Sequence, residues 1–236
     1  MSKPDVADLD AYYGESRVLH RVSLTVESGQ LVTLIGQKGV GKATMLKSVV
    51  GLTPRIERTI TYGSAALASI EPHEISQKGV SLVPEHRRIF LGLSVRENLR
   101  MSRIEHETNS IFERSTEWIF DFFPRLEEWF AQSASTKSSG EQQMLAITRS
   151  LMSEPGLLLT DEPTEGLMPS LVEKLRNVLV DTNDRGISIL LVEQDDGPAL
   201  NITNYTYVIS EGAIEAAGPA AEINENADIR EEYLQV

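Results

Sequence analysis

Along this chain, short and nearly unbroken apolar runs alternate with stretches whose apolar residues recur every three or four positions. Leu31 to Ile35, Val80 to Val83, Leu157 to Leu159 and Ile187 to Val192 are runs of the first kind. Such short runs without polar alternation predict strands buried on both faces, as in a parallel sheet. The helical period runs from Lys42 through Met45, Leu46, Val49 and Val50, with Gly51 as its stop. It returns over Glu141 to Met152, through Met144, Leu145, Ile147 and Leu151, and again over 170–183. Residues 7–13 and 17–27 mix buried and exposed positions. They predict two strands around a turn at Gly14-Glu15-Ser16, as at an antiparallel edge, with a second turn at Ser28-Gly29. A weak strand is expected over Thr59 to Tyr62, and a short helix at Glu71 to Ile75 with Pro72 in its first turn. Pro84 stops the Val80 strand. Tyr205 to Ile209 and Ala213 to Ala216 flank a turn at Glu211-Gly212, and a last helix starts near Ala220.

Between these elements, residues 94–130 are helical. Ser94 and Glu97 have the spacing of a capping box. Ile111, Trp118, Ile119, Phe122, Phe123, Leu126 and Trp129 recur at helical spacing, interrupted by Pro124, and this aromatic stripe reads as core. The Ser-rich stretch 131–139 reads as a loop. With no repeat and no long linker, the expectation is one α/β domain over 1–236, with a mostly parallel sheet, an antiparallel β subdomain and a helical subdomain at about 94–152.

Composition narrows the partners. No apolar run is long enough to cross a bilayer, the first residues lack a signal peptide's apolar stretch, and there is no cysteine for a disulfide or a metal. A cytoplasmic protein is the simplest expectation. The formal net charge of −13 argues against a nucleic-acid partner, so any anion site must be positive only locally. Spread acids and an excess of Arg over Lys suit a medium of high ionic strength, where self-repulsion is screened.

Chemistry concentrates in two stretches. The first is Gly36-Gln37-Lys38-Gly39-Val40-Gly41-Lys42-Ala43-Thr44, between an apolar strand and a helix. Three glycines let the backbone turn its N–H groups inward, the helix dipole favours an anion, and Lys42 can reach terminal phosphates: a polyphosphate cradle. Ala43 departs from the pattern, which places Ser or Thr there to ligate Mg²⁺. Thr44 has a hydroxyl one position on, rotated by about 100° around the helix. The second stretch, Leu157-Leu158-Leu159-Thr160-Asp161-Glu162-Pro163, sets two carboxylates at a strand's C-terminal edge, where open parallel sheets bind ligands. Asp161 can hold Mg²⁺, and Glu162 can orient or deprotonate a water.

Together these stretches resemble the ATP-binding subunits of ABC transporters, and the likeness extends over nearly the whole chain. Lys137-Ser138-Ser139-Gly140-Glu141-Gln142-Gln143 stands where that family carries its Leu-Ser-Gly-Gly-Gln signature, with Lys137 for Leu and Ser139 for Gly. Tyr12-Tyr13-Gly14 resembles the loop whose aromatic ring stacks on adenine, with Tyr13 as the ring. Val83-Pro84-Glu85-His86-Arg87-Arg88-Ile89-Phe90 resembles the Q-loop, with Glu85 for Gln. Thr164-Glu165-Gly166-Leu167-Met168-Pro169 resembles the D-loop, and Gln194 falls at the switch His. These variants are most similar to the second ATPase subunit of branched-chain amino acid importers; importers of urea and short-chain amides share most of them. The resemblance implies ATP and Mg²⁺ as cofactors, Asp161 and Glu85 at the metal, and Lys42, Glu162 and Gln194 as catalytic groups. It also implies that Ser138, Gly140 and Glu141 meet the γ-phosphate held by a sister subunit or a second copy in a head-to-tail dimer. The implied partners are hydrophobic permease subunits, docked near 86–103, and indirectly a solute-binding protein, with the chain peripheral on the cytoplasmic membrane face. Ala43, Ser139 and Lys137 leave room for a nucleotide-binding subunit with weak hydrolysis. A soluble ABC ATPase without a permease fits the short, acidic chain less well.

Overall fold

The computed structural model describes residues 3–103, 112, 116–117, 119–120, 123–194 and 201–234. In chain order the elements are β1 (Pro4–Tyr13), β2 (Ser16–Thr25), β3 (Leu31–Ile35), α1 (Lys42–Val49), β4 (Arg55–Tyr62), β5 (Ala65–Ala66), α2 (Pro72–Gln77), β6 (Val80–Val83) and α3 (Val95–Arg100). They continue with α4 (Pro124–Glu128), α5 (Ser139–Leu151), β7 (Leu157–Asp161), α6 (Pro169–Asp184), β8 (Ser188–Glu193), β9 (Tyr205–Ser210), β10 (Ala213–Pro219) and α7 (Ala220–Glu225).

Two sheets result. The antiparallel one has the order β2-β1-β4-β5. The other runs β10-β9-β3-β8-β7-β6 and is parallel except for the β9–β10 hairpin. Its central strands are buried on both faces, as their unbroken apolar runs require. The two-residue period sorts them: Leu157, Leu159, Leu190 and Val192 join the core shared with α1 and the antiparallel sheet, while Leu158, Ile189 and Leu191 face the core under α3, α5 and α6.

Some boundaries differ from expectation. β4 begins at Arg55, not Thr59, because it pairs with β1 along its length, from Tyr12↔Arg55 to Pro4↔Tyr62. Its polar start lies on an exposed face, so backbone pairing and not burial makes it a strand. α5 begins at Ser139 because Ser138 is its N-cap; the Glu141 N–H donates to Ser138 Oγ at 3.4 Å and the Ser138 N–H to Glu141 at 2.8 Å. The loop before it contains a short 3₁₀ turn, Ala134–Thr136. The Ser94–Glu97 capping box forms as expected. Of the aromatic stripe, Ile119, Phe123 and Leu126 are buried, and Trp129 packs between the cations of Arg125 and Lys137, 4.8 and 4.9 Å from its ring centre. Ile111, Trp118 and Phe122 lie outside the described residues.

Candidate active site

Three adjacent strands, β3, β8 and β7, end on one edge of the parallel sheet, with Ile35 beside Glu193 and Asp161 beside Val192. The loop after β3 leads into α1 through Gly41, whose φ of 109° is a left-handed conformation that favours glycine, and no side chain caps the helix. Gly36 is fixed by a different demand: a Cβ there would run into the backbone oxygen of Ile209. The β9–β10 turn supports the same loop, since the Gly212 N–H donates to the Val40 carbonyl at 3.0 Å. β2 closes the other side, with Leu19 and Val18 against Gly41.

Lys42 is buried and points back into the loop. Its Nζ donates to the carbonyls of Gly36 (2.6 Å) and Gln37 (2.9 Å) and pairs with Glu162 Oε1 at 3.2 Å. Exposed Lys38 pairs with Glu165 at 3.8 Å, and Gln37 Nε2 donates to the Tyr233 carbonyl at 3.3 Å. On α1, Ala43 offers no side-chain oxygen, and Thr44 is buried with its carbonyl accepting from Ser48 Oγ at 2.8 Å.

The carboxylates follow. Glu162 has a left-handed φ of 46°, and Gln194 Nε2 donates to its Oε2. Asp161 is nearly buried and its pKa rises to about 6; burial is the main cause, then the charges of Glu162 and Glu85, against Lys47 and Lys42. Glu85, Glu162 and Glu165 each bring a carboxylate oxygen within 4.8 Å of the others. With Asp161 beside them, this all-oxygen set suits a hard divalent cation such as Mg²⁺.

The structure thus brings Lys42, Glu162, Gln194 and Glu85 together. Tyr13, at the end of β1, keeps an exposed ring (39%), whereas the Tyr12 ring carries Arg55 at 4.3 Å. Ser138, Gly140 and Glu141 stand apart: among the described residues their side chains make no hydrogen bond or ion pair to the loop at 36–44. Glu141 answers to Ser138 and to Arg125 at 3.8 Å. Gly140 is held by α6, since a Cβ would meet Leu171.

Residues 19–165 match the family model described as ABC transporter. The chain belongs to the ABC transporter family. It is 37% identical to the high-affinity branched-chain amino acid transport ATP-binding protein BraG of Pseudomonas aeruginosa, over 96% of this chain and 97% of that one. It is 31% identical to the probable branched-chain amino acid transport ATP-binding protein LivF of Archaeoglobus fulgidus, over 92% of each. A solved ATP-binding subunit of an ABC transporter superposes with a TM-score of 0.84 at 26% identity, covering 98% of this chain and 96% of the other. As an ABC ATPase the protein binds nucleotide. Among its described residues, no helix is long and apolar enough to cross a membrane.

In this ABC ATPase a further residue reaches the site. Glu193 ends β8, is nearly buried, and accepts from Thr164 Oγ1 at 2.8 Å and from the Thr164 N–H at 3.2 Å. The signal in the sequence was a lone acid closing an apolar strand just before Gln194, which reads equally well as the strand's exit into solvent.

Proposed function

We propose that the protein is the ATP-binding subunit of an importer for branched-chain amino acids, acting on the cytoplasmic face of the membrane through hydrophobic permease subunits. Residues 1–236 form one ABC ATPase unit with its helical subdomain at about 94–152. The observation that carries the reading is the largely buried Lys42–Glu162–Gln194 constellation at the mouth of the glycine loop, in a chain 37% identical to BraG. Lys42 donates to the loop carbonyls and pairs with Glu162. Incoming phosphates take over Lys42 and free the Glu162 carboxylate to orient and deprotonate a water, while Gln194 holds that carboxylate and senses the γ-phosphate. Asp161 and Glu85, with Glu165 near them, would hold Mg²⁺, which would supply charge neutralisation at the phosphates. Tyr13 stacks on adenine. Ser138, Gly140 and Glu141 serve the nucleotide of the facing subunit, a sister ATPase or a second copy.

The second reading, a nucleotide-binding subunit with weak hydrolysis, is favoured by Ala43, which has no oxygen for the metal, and by Lys137, drawn onto Trp129 where the signature has Leu. Reconstitution in vesicles with permease, sister subunit and solute-binding protein tests the first. ATP-dependent uptake of labelled leucine is expected; ATP binding with no uptake of leucine, isoleucine or valine overturns it.

A further inference from the structure

Glu162 is followed by Pro163, and a residue before proline is driven toward extended backbone. Glu162 instead has φ 46°. Something must hold the turn in this strained state. Pro163 has no N–H, so the stretch 162–164 offers two backbone donors, and β8 takes both. The Glu162 N–H donates to the Val192 carbonyl at 2.9 Å, and the Thr164 N–H to Glu193 Oε1 at 3.2 Å. Thr164 Oγ1 donates to the same oxygen at 2.8 Å. Gln194, the next residue, grips the Glu162 carboxylate itself. Val192, Glu193 and Gln194 therefore hold the backbone, the far end and the side chain of one turn.

Glu193 is the unusual member. It is 4% exposed, and burying a carboxyl is costly unless its bonds matter. Burial above all, then the charge of Glu162, pushes its pKa up to about 7, against the two Thr164 bonds and Lys42. Charged or neutral, its Oε1 can accept both bonds, so the grip does not depend on ionisation.

We propose that Glu193 is a positioning residue for hydrolysis: through Thr164 it holds the strained turn that aims the Glu162 carboxylate. The proposal rests on the reading of Glu162 as the group that handles the water. The test is ATP turnover of the assembled transporter carrying Glu193→Ala, Glu193→Gln, Thr164→Val and Glu162→Gln, singly and as Glu193→Ala with Glu162→Gln. Glu193→Ala is expected to lower kcat by about tenfold with little change in KM for ATP, since misplacing a catalytic group costs rate more than binding. Glu193→Gln, which keeps an acceptor oxygen, restores most of the rate, and Thr164→Val loses part of it. In the Glu162→Gln background, Glu193→Ala adds no further loss, because the group it aims is gone. A wild-type kcat in Glu193→Ala, a Gln variant as slow as Ala, or an undiminished loss in the double variant overturns the proposal. Should Glu193→Ala fail to fold, Thr164→Val at wild-type kcat overturns it instead. Full turnover in Glu162→Gln would sink the underlying reading of the site, a result distinct from all of these.

Discussion

The first turns of α1 and α5 both present backbone N–H groups at a helix start, and they are finished differently. α1 begins at left-handed Gly41 with no side-chain cap, and beside it a buried cation is shared between loop carbonyls and Glu162. α5, starting at Ser139, is capped by Ser138 through a complete capping box on the exposed side of the helix end. An uncapped end leaves its donors for a ligand; a capped end is stable without one. The first region keeps uncapped donors and a buried cation side by side, the pairing an anion site needs. The second is finished in the lone chain and can serve an anion only when another subunit carries one to it.

Truncating the side chain at each end gives the largest contrast. Lys42→Ala should weaken ATP binding by more than about tenfold, since a charge-assisted phosphate contact contributes roughly 1.5–3 kcal/mol. Ser138→Ala should leave the lone chain's affinity unchanged and cost only about 1 kcal/mol of stability, the value of a cap. Calorimetric titration and thermal melts of both variants check this; equal affinity losses would erase the distinction.

How far this was readable in advance depended on the range of the interactions. The glycine loop and the Asp161-Glu162 pair were legible because local spacing alone places them at strand ends. β4 was half hidden because Arg55 to Thr59 carry no apolar pattern; only their pairing with β1 makes a strand. The burial of Glu193 and the Gln37–Tyr233 bond were not legible. The first arises when 162–164 folds back over β8, and the second joins positions 196 apart.

The buried end should also respond to pH through Glu193. Its pKa is higher in the fold (about 7) than the ordinary glutamate value of 4.5, so the stability linked to it is full below about 4.5 and is lost as pH rises through 7. Between pH 5.5 and 8 that loss is on the order of 2 kcal/mol. Glu193→Gln should lose less stability over the same interval, measured by urea melts. Parallel pH profiles for the two proteins would remove Glu193 as the source.

The smallest effect asks which end limits the rate. Ala43→Thr restores a metal-facing hydroxyl on α1 and should raise turnover several-fold, about 1 kcal/mol in barrier, at similar ATP affinity. If turnover rises only when Ser139→Gly is added, the limit lies at the start of α5. If neither change raises it, neither departure limits hydrolysis.

Order of synthesis gives the parallel sheet a further meaning. β3, the strand that launches the glycine loop, is complete at residue 35, yet its neighbours β8 and β9 start at Ser188 and Tyr205. The antiparallel sheet needs nothing beyond Ala66. A ribosome therefore delivers one sheet whole while β3 waits with both edges bare for the time it takes to make roughly 150 more residues, at about 5–20 residues per second. During that wait β3 is an aggregation hazard of the kind that chaperones shield. The loop's support from Tyr233 comes later still. The nucleotide cradle is among the first parts of this protein to be made and the last to be braced.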